Sequence, residues 1–222
     1  MAIDKGRYKE LVQELGEKGV TLVAVSKTKP VEDILALYDL GQRDFGENYV
    51  QELVDKQAQL PQDIRWHFIG HLQGNKVKYI TPFVPLIHGI DSYKLLKEVS
   101  KQGEKIQRNM GVLLQVHIAQ EETKFGLDEQ EVEDIIHGLS REPLPSLSIN
   151  GLMGMASFSD DKELVRQEFS TLKVIYDSYA SYQSPILALT TLSMGMSGDY
   201  KLAIEEGSTM VRIGSLLFGA RS

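Results

Sequence analysis

Residues 21–41 read TLVAVSKTKPVEDILALYDLG. Thr21-Leu22-Val23-Ala24-Val25-Ser26 is a short β-branched apolar run, the pattern of a strand covered on both faces in a parallel sheet. Pro30 then opens a helix, since its fixed φ suits the first turn and no hydrogen bond is lost there. Val31, Ile34, Leu35 and Leu37 fall on the inner face of that helix, and Gly41 stops it. The unit is strand, short loop, amphipathic helix, stop.

The same unit recurs outward in both directions. Upstream, Tyr8, Leu11, Val12 and Leu15 at 3- and 4-residue spacing predict an amphipathic helix over Lys5–Lys18, ended by Gly19. Downstream, strands are predicted at Arg43–Gly46, Trp66–Ile69, Leu86–Ile90, Val112–Ile118, Leu147–Met153, Ile186–Leu192 and Met210–Ile213. Helices are expected over about Asn48–Leu60, Asn75–Ile80, from an Asp91 or Ser92 cap to Gln107, Asp128–Leu139, Asp161–Tyr182 and Tyr200–Glu206, with a last turn from Leu216 to Phe218. A loop is expected at Glu121–Gly126. Strands that each lead into a helix through a short connection, eight in all, predict an α/β chain folded as one closed (β/α)8 TIM barrel. An open doubly wound sheet is the alternative, but no GxGxxG follows the first strand. No Pro/Gly/Ser-rich linker divides the chain, so residues 1–222 are expected to form a single domain.

Composition narrows the function classes. The chain has 222 residues with 24 Lys+Arg against 31 Asp+Glu, a net charge of −7, which argues against a general nucleic-acid binder. With no Cys, disulfides, thiolate catalysis and iron–sulfur clusters are excluded. The charged N-terminus carries no signal-peptide core, and no run approaches the roughly 20 apolar residues of a membrane span. A cytoplasmic protein with no membrane partner is expected.

Active groups of such barrels sit at the C-terminal ends of the strands. Lys27 ends the first strand. It reads either as a lysine snorkelling outward or as a Schiff-base lysine, whose amine must be neutral to attack an aldehyde; cations such as Lys29 and Arg212 nearby favour the neutral form. Ser193–Gly198 and Gly214-Ser215 follow the last two strands, where barrels hold phosphates with backbone N–H groups. Together they point to a phosphate monoester. Arg212 lies within the eighth strand and must meet a carboxylate, a carbonyl or a ligand; a structural ion pair and a ligand contact are equally open. Met153 and Met155 share a strand face and read as core, although at this address they can also flank an aromatic ring. His67 and His71 are four residues apart across a strand end and a turn, with no third ligand apparent, so packed histidines are expected rather than a metal site. The acidic run Glu129–Asp134 reads as a solvated helix face.

Five stretches carry a resemblance: Ala24-Val25-Ser26-Lys27-Thr28-Lys29-Pro30, Phe45-Gly46-Glu47-Asn48-Tyr49-Val50-Gln51-Glu52, Trp66-His67-Phe68-Ile69-Gly70, Leu192-Ser193-Met194-Gly195-Met196-Ser197 and Val211-Arg212-Ile213-Gly214. In this order they resemble the signatures of the pyridoxal phosphate homeostasis proteins (the YggS/PROSC family), with a likeness to its cyanobacterial branch, and the likeness runs from about Leu22 to Gly219. It implies a barrel like the N-terminal domain of alanine racemase, a fold-type III arrangement. Pyridoxal 5'-phosphate (PLP) would be held as an internal aldimine on Lys27. Asn48 would lie on the phenolic side of the ring, and Ser197 and Ser193 with the amides of Gly214 and Ser215 would hold the phosphate. Met155 would line the site and Arg212 would face the pyridine nitrogen.

An arginine there donates a hydrogen bond without giving up its proton, so the ring stays a poor electron sink. The expected role is therefore storage, buffering or delivery of PLP, affecting amino-acid and keto-acid balance, rather than robust catalysis. The chain's end at Ser222 adds to this expectation, since racemases with this barrel take a tyrosine from a further domain of a partner subunit. The same reasoning leads to an expected monomer, with apo-PLP enzymes and free amino acids as partners. A weak PLP-dependent racemase or lyase is the runner-up. A class I aldolase acting on a phosphosugar through the same lysine is the third reading.

Overall fold

A computed structural model describes residues 3–121, 125–182 and 184–219. The predicted Glu121–Gly126 loop and the chain's last residues lie partly outside them. Eight parallel strands, β1 (Thr21–Val25), β2 (Asp44–Glu47), β3 (Arg65–Phe68), β4 (Leu86–Ile90), β5 (Met110–Gln115), β6 (Leu147–Met153), β7 (Leu187–Ser193) and β8 (Met210–Ile213), pair in sequence order and close on themselves. The closing seam is in register, with Thr21 opposite Met210 and Val23 opposite Arg212.

Around the barrel lie α1 (Lys5–Glu17), α2 (Val31–Tyr38), α3 (Val50–Gln57), a 3-10 turn (Gly74–Lys76) continuing into α4 (Val77–Ile80), α5 (Tyr93–Lys105), α6 (Glu129–Arg141), α7 (Lys162–Tyr179), α8 (Tyr200–Glu205) and α9 (Ser215–Phe218). Their starts follow from side-chain caps. Ser92 accepts from Leu95 N, Asp161 from Glu163 N and Leu164 N, and Asp128 and Glu131 form a reciprocal capping box. Pro30 is the N-cap of α2 rather than its first helical residue. Tyr8, Leu11 and Leu15 of α1 are buried as expected, whereas Val12 is 40% exposed, displaced from the inner face by the helical twist.

Two apolar layers hold the fold. The larger lies between sheet and helices and includes Leu11, Ile34, Phe45, Leu53, Trp66, Phe169 and Phe218. The smaller, inside the barrel, is made of Val23, Leu86, Leu113, Met153 and Met210, with Met155 packed on it. No helix among the described residues is long and apolar enough to cross a membrane.

Candidate functional site

A cavity of about 390 Å³ opens where β1, β2, β6, β7 and β8 reach their C-terminal ends, a size suited to a small-molecule ligand. Lys27, Asn48, Met155, Ser197, Arg212, Gly214 and Ser215 all line it. The sequence places these residues on five different loops and strand ends, so only barrel closure brings them together.

Lys27 stands two residues beyond β1 and is half-buried. Lys29, also on the wall, donates to Phe218 O at 3.0 Å and so ties this loop to α9. The Asn48 side-chain oxygen is buried and has no hydrogen-bond partner among the described residues. An unpaired buried acceptor is costly, and here it borders a cavity. Gly70 permits the approach of the β3 loop to Asn48, since a Cβ at position 70 would sit 2.2 Å from Asn48 O.

On the opposite wall, the Ser197 hydroxyl accepts from Gly214 N at 3.2 Å, which joins the loops after β7 and β8. Gly195, at φ +97° and tight against Ala203, makes the turn between them, and its carbonyl accepts from Arg212 N at 3.0 Å. The N–H of Ser215, the first residue of α9, has no acceptor within that helix, and Ser215 lines the cavity.

Arg212 is 4% exposed. Its Nη1 donates to Ser193 O at 2.8 Å and to Ser193 Oγ at 2.6 Å, and its Nη2 donates to Gly154 O at 3.0 Å. The sequence left open what this arginine meets. The answer is two carbonyls and a hydroxyl, which use three of its five N–H groups. Burial pushes the guanidinium down to about 10, which leaves it charged at neutral pH.

Ser193 departs from the expected arrangement. It is fully buried, is not among the residues lining the cavity, and its hydroxyl is engaged by Arg212 and His88. Ser193 begins a polar column through the barrel. His88 Nδ1 lies 3.2 Å from Ser193 Oγ, His88 Nε2 lies 2.9 Å from His67 Nδ1, and His67 Nε2 lies 3.0 Å from Asp44 Oδ1. Arg65 completes it by donating to both Asp44 oxygens. Asp44 can only accept, so His67 Nε2 carries a proton and donates to it. His71 belongs elsewhere, 2.8 Å from Asp91 and stacked on Phe125 at 4.5 Å. The two histidines flagged by spacing thus serve separate networks.

The column fixes a pH response. Burial pushes the Asp44 carboxyl up, but hydrogen bonds from His67 and Arg65 outweigh it and hold it at about 2. Burial, reinforced by the charges of His67 and Arg212, holds His88 well below the ordinary imidazole range. The unfolded chain therefore takes up a proton near pH 6.5 that folded His88 refuses, and stability falls as pH drops below that point. Asp44 contributes stability above about pH 4 and loses it as pH falls towards 2. Denaturant titrations of His88→Asn between pH 7 and 5 should show a shallower loss than wild type, by up to about 1.4 kcal/mol per pH unit. Identical slopes would remove this role for His88.

Sequence reasoning missed His88, which reads as part of an apolar strand, and several buried charges. Glu168 of α7, 5% exposed, accepts from Ser157 N and Oγ at 2.6 Å each and from Gln120 N at 3.0 Å, binding together the loops after β5 and β6. Glu47 and Lys56 are likewise buried.

The family described as alanine racemase, N-terminal domain, matches residues 5–222. A pyridoxal phosphate homeostasis protein of Vibrio alginolyticus is 42% identical over 97% of this chain and 92% of its own length. Among solved structures, PipY of Synechococcus elongatus PCC7942 with PLP bound superposes with a TM-score of 0.87 at 35% identity, covering 96% of this chain and 99% of that one. Alanine racemase of Clostridium difficile 630 aligns with a TM-score of 0.75 at 11% identity over 99% of this chain and 58% of that one, a likeness of fold alone.

Proposed function

The chain belongs to the pyridoxal phosphate homeostasis protein family, and on that premise we infer that it binds PLP and acts in the homeostasis of that cofactor, with Lys27 as its covalent anchor. The observation that carries this reading is the convergence on one cavity of a lysine from the first strand with an arginine, a serine and main-chain donors from the last two. Asn48, whose side-chain oxygen has no partner among the described residues, lines the same cavity and supports the fit.

PLP supplies an aldehyde and a ring able to withdraw electrons from an attached amine. Lys27 would provide the amine that joins the aldehyde carbon, with water as the leaving group. Ser197 and the Ser215 N–H would provide donors for the phosphate, and Gly214, whose N–H donates to Ser197 Oγ, would keep that hydroxyl turned to it. Arg212, which lines the cavity, keeps two N–H groups that Ser193 and Gly154 do not use, and a guanidinium would donate to the ring nitrogen without protonating it. Asn48 and Met155, on the same cavity wall, would flank the ring. Ser193 acts here at one remove, by holding Arg212.

With no proton given to the ring nitrogen, strong carbanion chemistry is disfavoured. Storage, buffering or delivery is the role that remains, carried out by a cytoplasmic monomer whose partners are PLP, free amines and apo-enzymes. Loaded protein should activate an apo-PLP enzyme faster than PLP released passively into the same buffer. Equal rates would exclude delivery. Lys27-dependent exchange of an amino acid α-proton with solvent, followed by NMR, would overturn the non-catalytic reading in favour of a weak racemase or lyase.

A further inference from the structure

Lys56 lies on α3, outside the cavity, with only 7% of its side chain exposed. Its ammonium has three acceptors: Ser26 O at 2.7 Å, Glu47 Oε1 at 2.7 Å and Glu52 Oε1 at 2.6 Å. These use all the N–H groups a lysine has. Glu47 Oε1 also accepts from Ser26 Oγ at 2.6 Å, and Glu52 Oε1 accepts from Thr28 N at 2.6 Å.

The Ser26 carbonyl belongs to the peptide unit entering Lys27, and the Thr28 N–H belongs to the one leaving it. Both units flanking Lys27 are therefore gripped, one by Lys56 and the other by Glu52. Thr28 meanwhile has φ +63°, a left-handed conformation that a β-branched residue adopts only at a cost. Such a conformation persists only where its surroundings impose it.

Stability does not account for the arrangement. Glu47 is fully buried, its second oxygen has no partner among the described residues, and burial pushes its carboxyl up. Replacing a buried ion pair of this kind with apolar side chains is often neutral or stabilising. What the charges achieve is a defined backbone at one residue.

We propose that Lys56, bridging Glu47 and Glu52, is a positioning residue that locks the backbone on both sides of Lys27 and thereby aims its amine into the cavity. The proposal rests on Lys27 being the point of PLP attachment. Attachment forms a C=N bond between Nζ and the aldehyde carbon and releases water, so its rate depends on where Nζ stands. Pyridoxamine 5'-phosphate has no aldehyde and reports on the rest of the cavity alone.

The test compares Lys56→Met and Glu52→Ala with wild type. Glu52 has 22% of its side chain exposed, so its variant keeps the test open should the first fail to fold. The readouts are the rate at which the visible band appears on mixing with PLP and the affinity for pyridoxamine 5'-phosphate. Attachment slowed about tenfold or more, with pyridoxamine 5'-phosphate affinity within about threefold of wild type, is the expected result. Partial rescue by Lys56→Arg would strengthen it. Unchanged attachment, or a parallel fall in both readouts, would overturn the proposal. A wild-type chain with no adduct on Lys27 would instead overturn the cofactor reading beneath it.

Discussion

Replacing Lys27 by alanine is expected to abolish covalent attachment of PLP outright. The wild-type protein, mixed with PLP and reduced with borohydride, should carry a phosphopyridoxyl group on Lys27 in its peptide map, and Lys27→Ala should carry none. Lys29 shares the cavity wall but is engaged by Phe218 O, and it should not take over. The variant should still fold, because a half-buried side chain at the end of a loop contributes little to either apolar layer. An adduct on Lys29, or undiminished labelling of Lys27→Ala, would refute the assignment.

The phosphate should account for the second large effect. Pyridoxal without its phosphate should bind at least about 100-fold more weakly than PLP, since hydrogen bonds to a charged group contribute about 1.5–3 kcal/mol each and at least two donors are proposed. Ser197→Ala should weaken PLP about tenfold while leaving pyridoxal affinity nearly unchanged, because only the phosphorylated ligand reaches that hydroxyl. The variant also loses the acceptor for Gly214 N, which joins the two loops. Calorimetry on the apo-protein measures both quantities. Equal affinities for the two ligands would remove Ser197, Gly214 and Ser215 from the site.

The fold was legible because eight short apolar runs alternate with amphipathic ones, and β4, β6 and β8 occupy the residues that the pattern assigns them. The site was legible by address. Lys27, Asn48, Ser197, Arg212, Gly214 and Ser215 stand at strand ends, and closure of the barrel brings them to one cavity.

The barrel interior was not legible. A strand covered on both faces carries no alternation that separates inward from outward residues, and register shifts between Ile87 and Ile90, Val112 and Leu113, and Ile149 and Gly151 break what period remains. His88 was therefore indistinguishable from residues facing the helices, and Ser193, read as the first residue of the loop after the seventh strand, is instead the last residue of that strand and turned inward. Lys56 shows the other limit. Its partner Ser26 lies 30 positions away, and nothing in α3 itself marks the residue as buried.

Glu168 has a consequence for whatever comes to the cavity from outside. Because one carboxylate joins the loops after β5 and β6 to α7, that side of the mouth moves with the outer shell. A visitor there meets a preset contour rather than a pliable flap. Phe158, 97% exposed, stands on the cavity wall two residues from Ala156 and directly after Ser157, so its ring is carried on the backbone that this carboxylate holds.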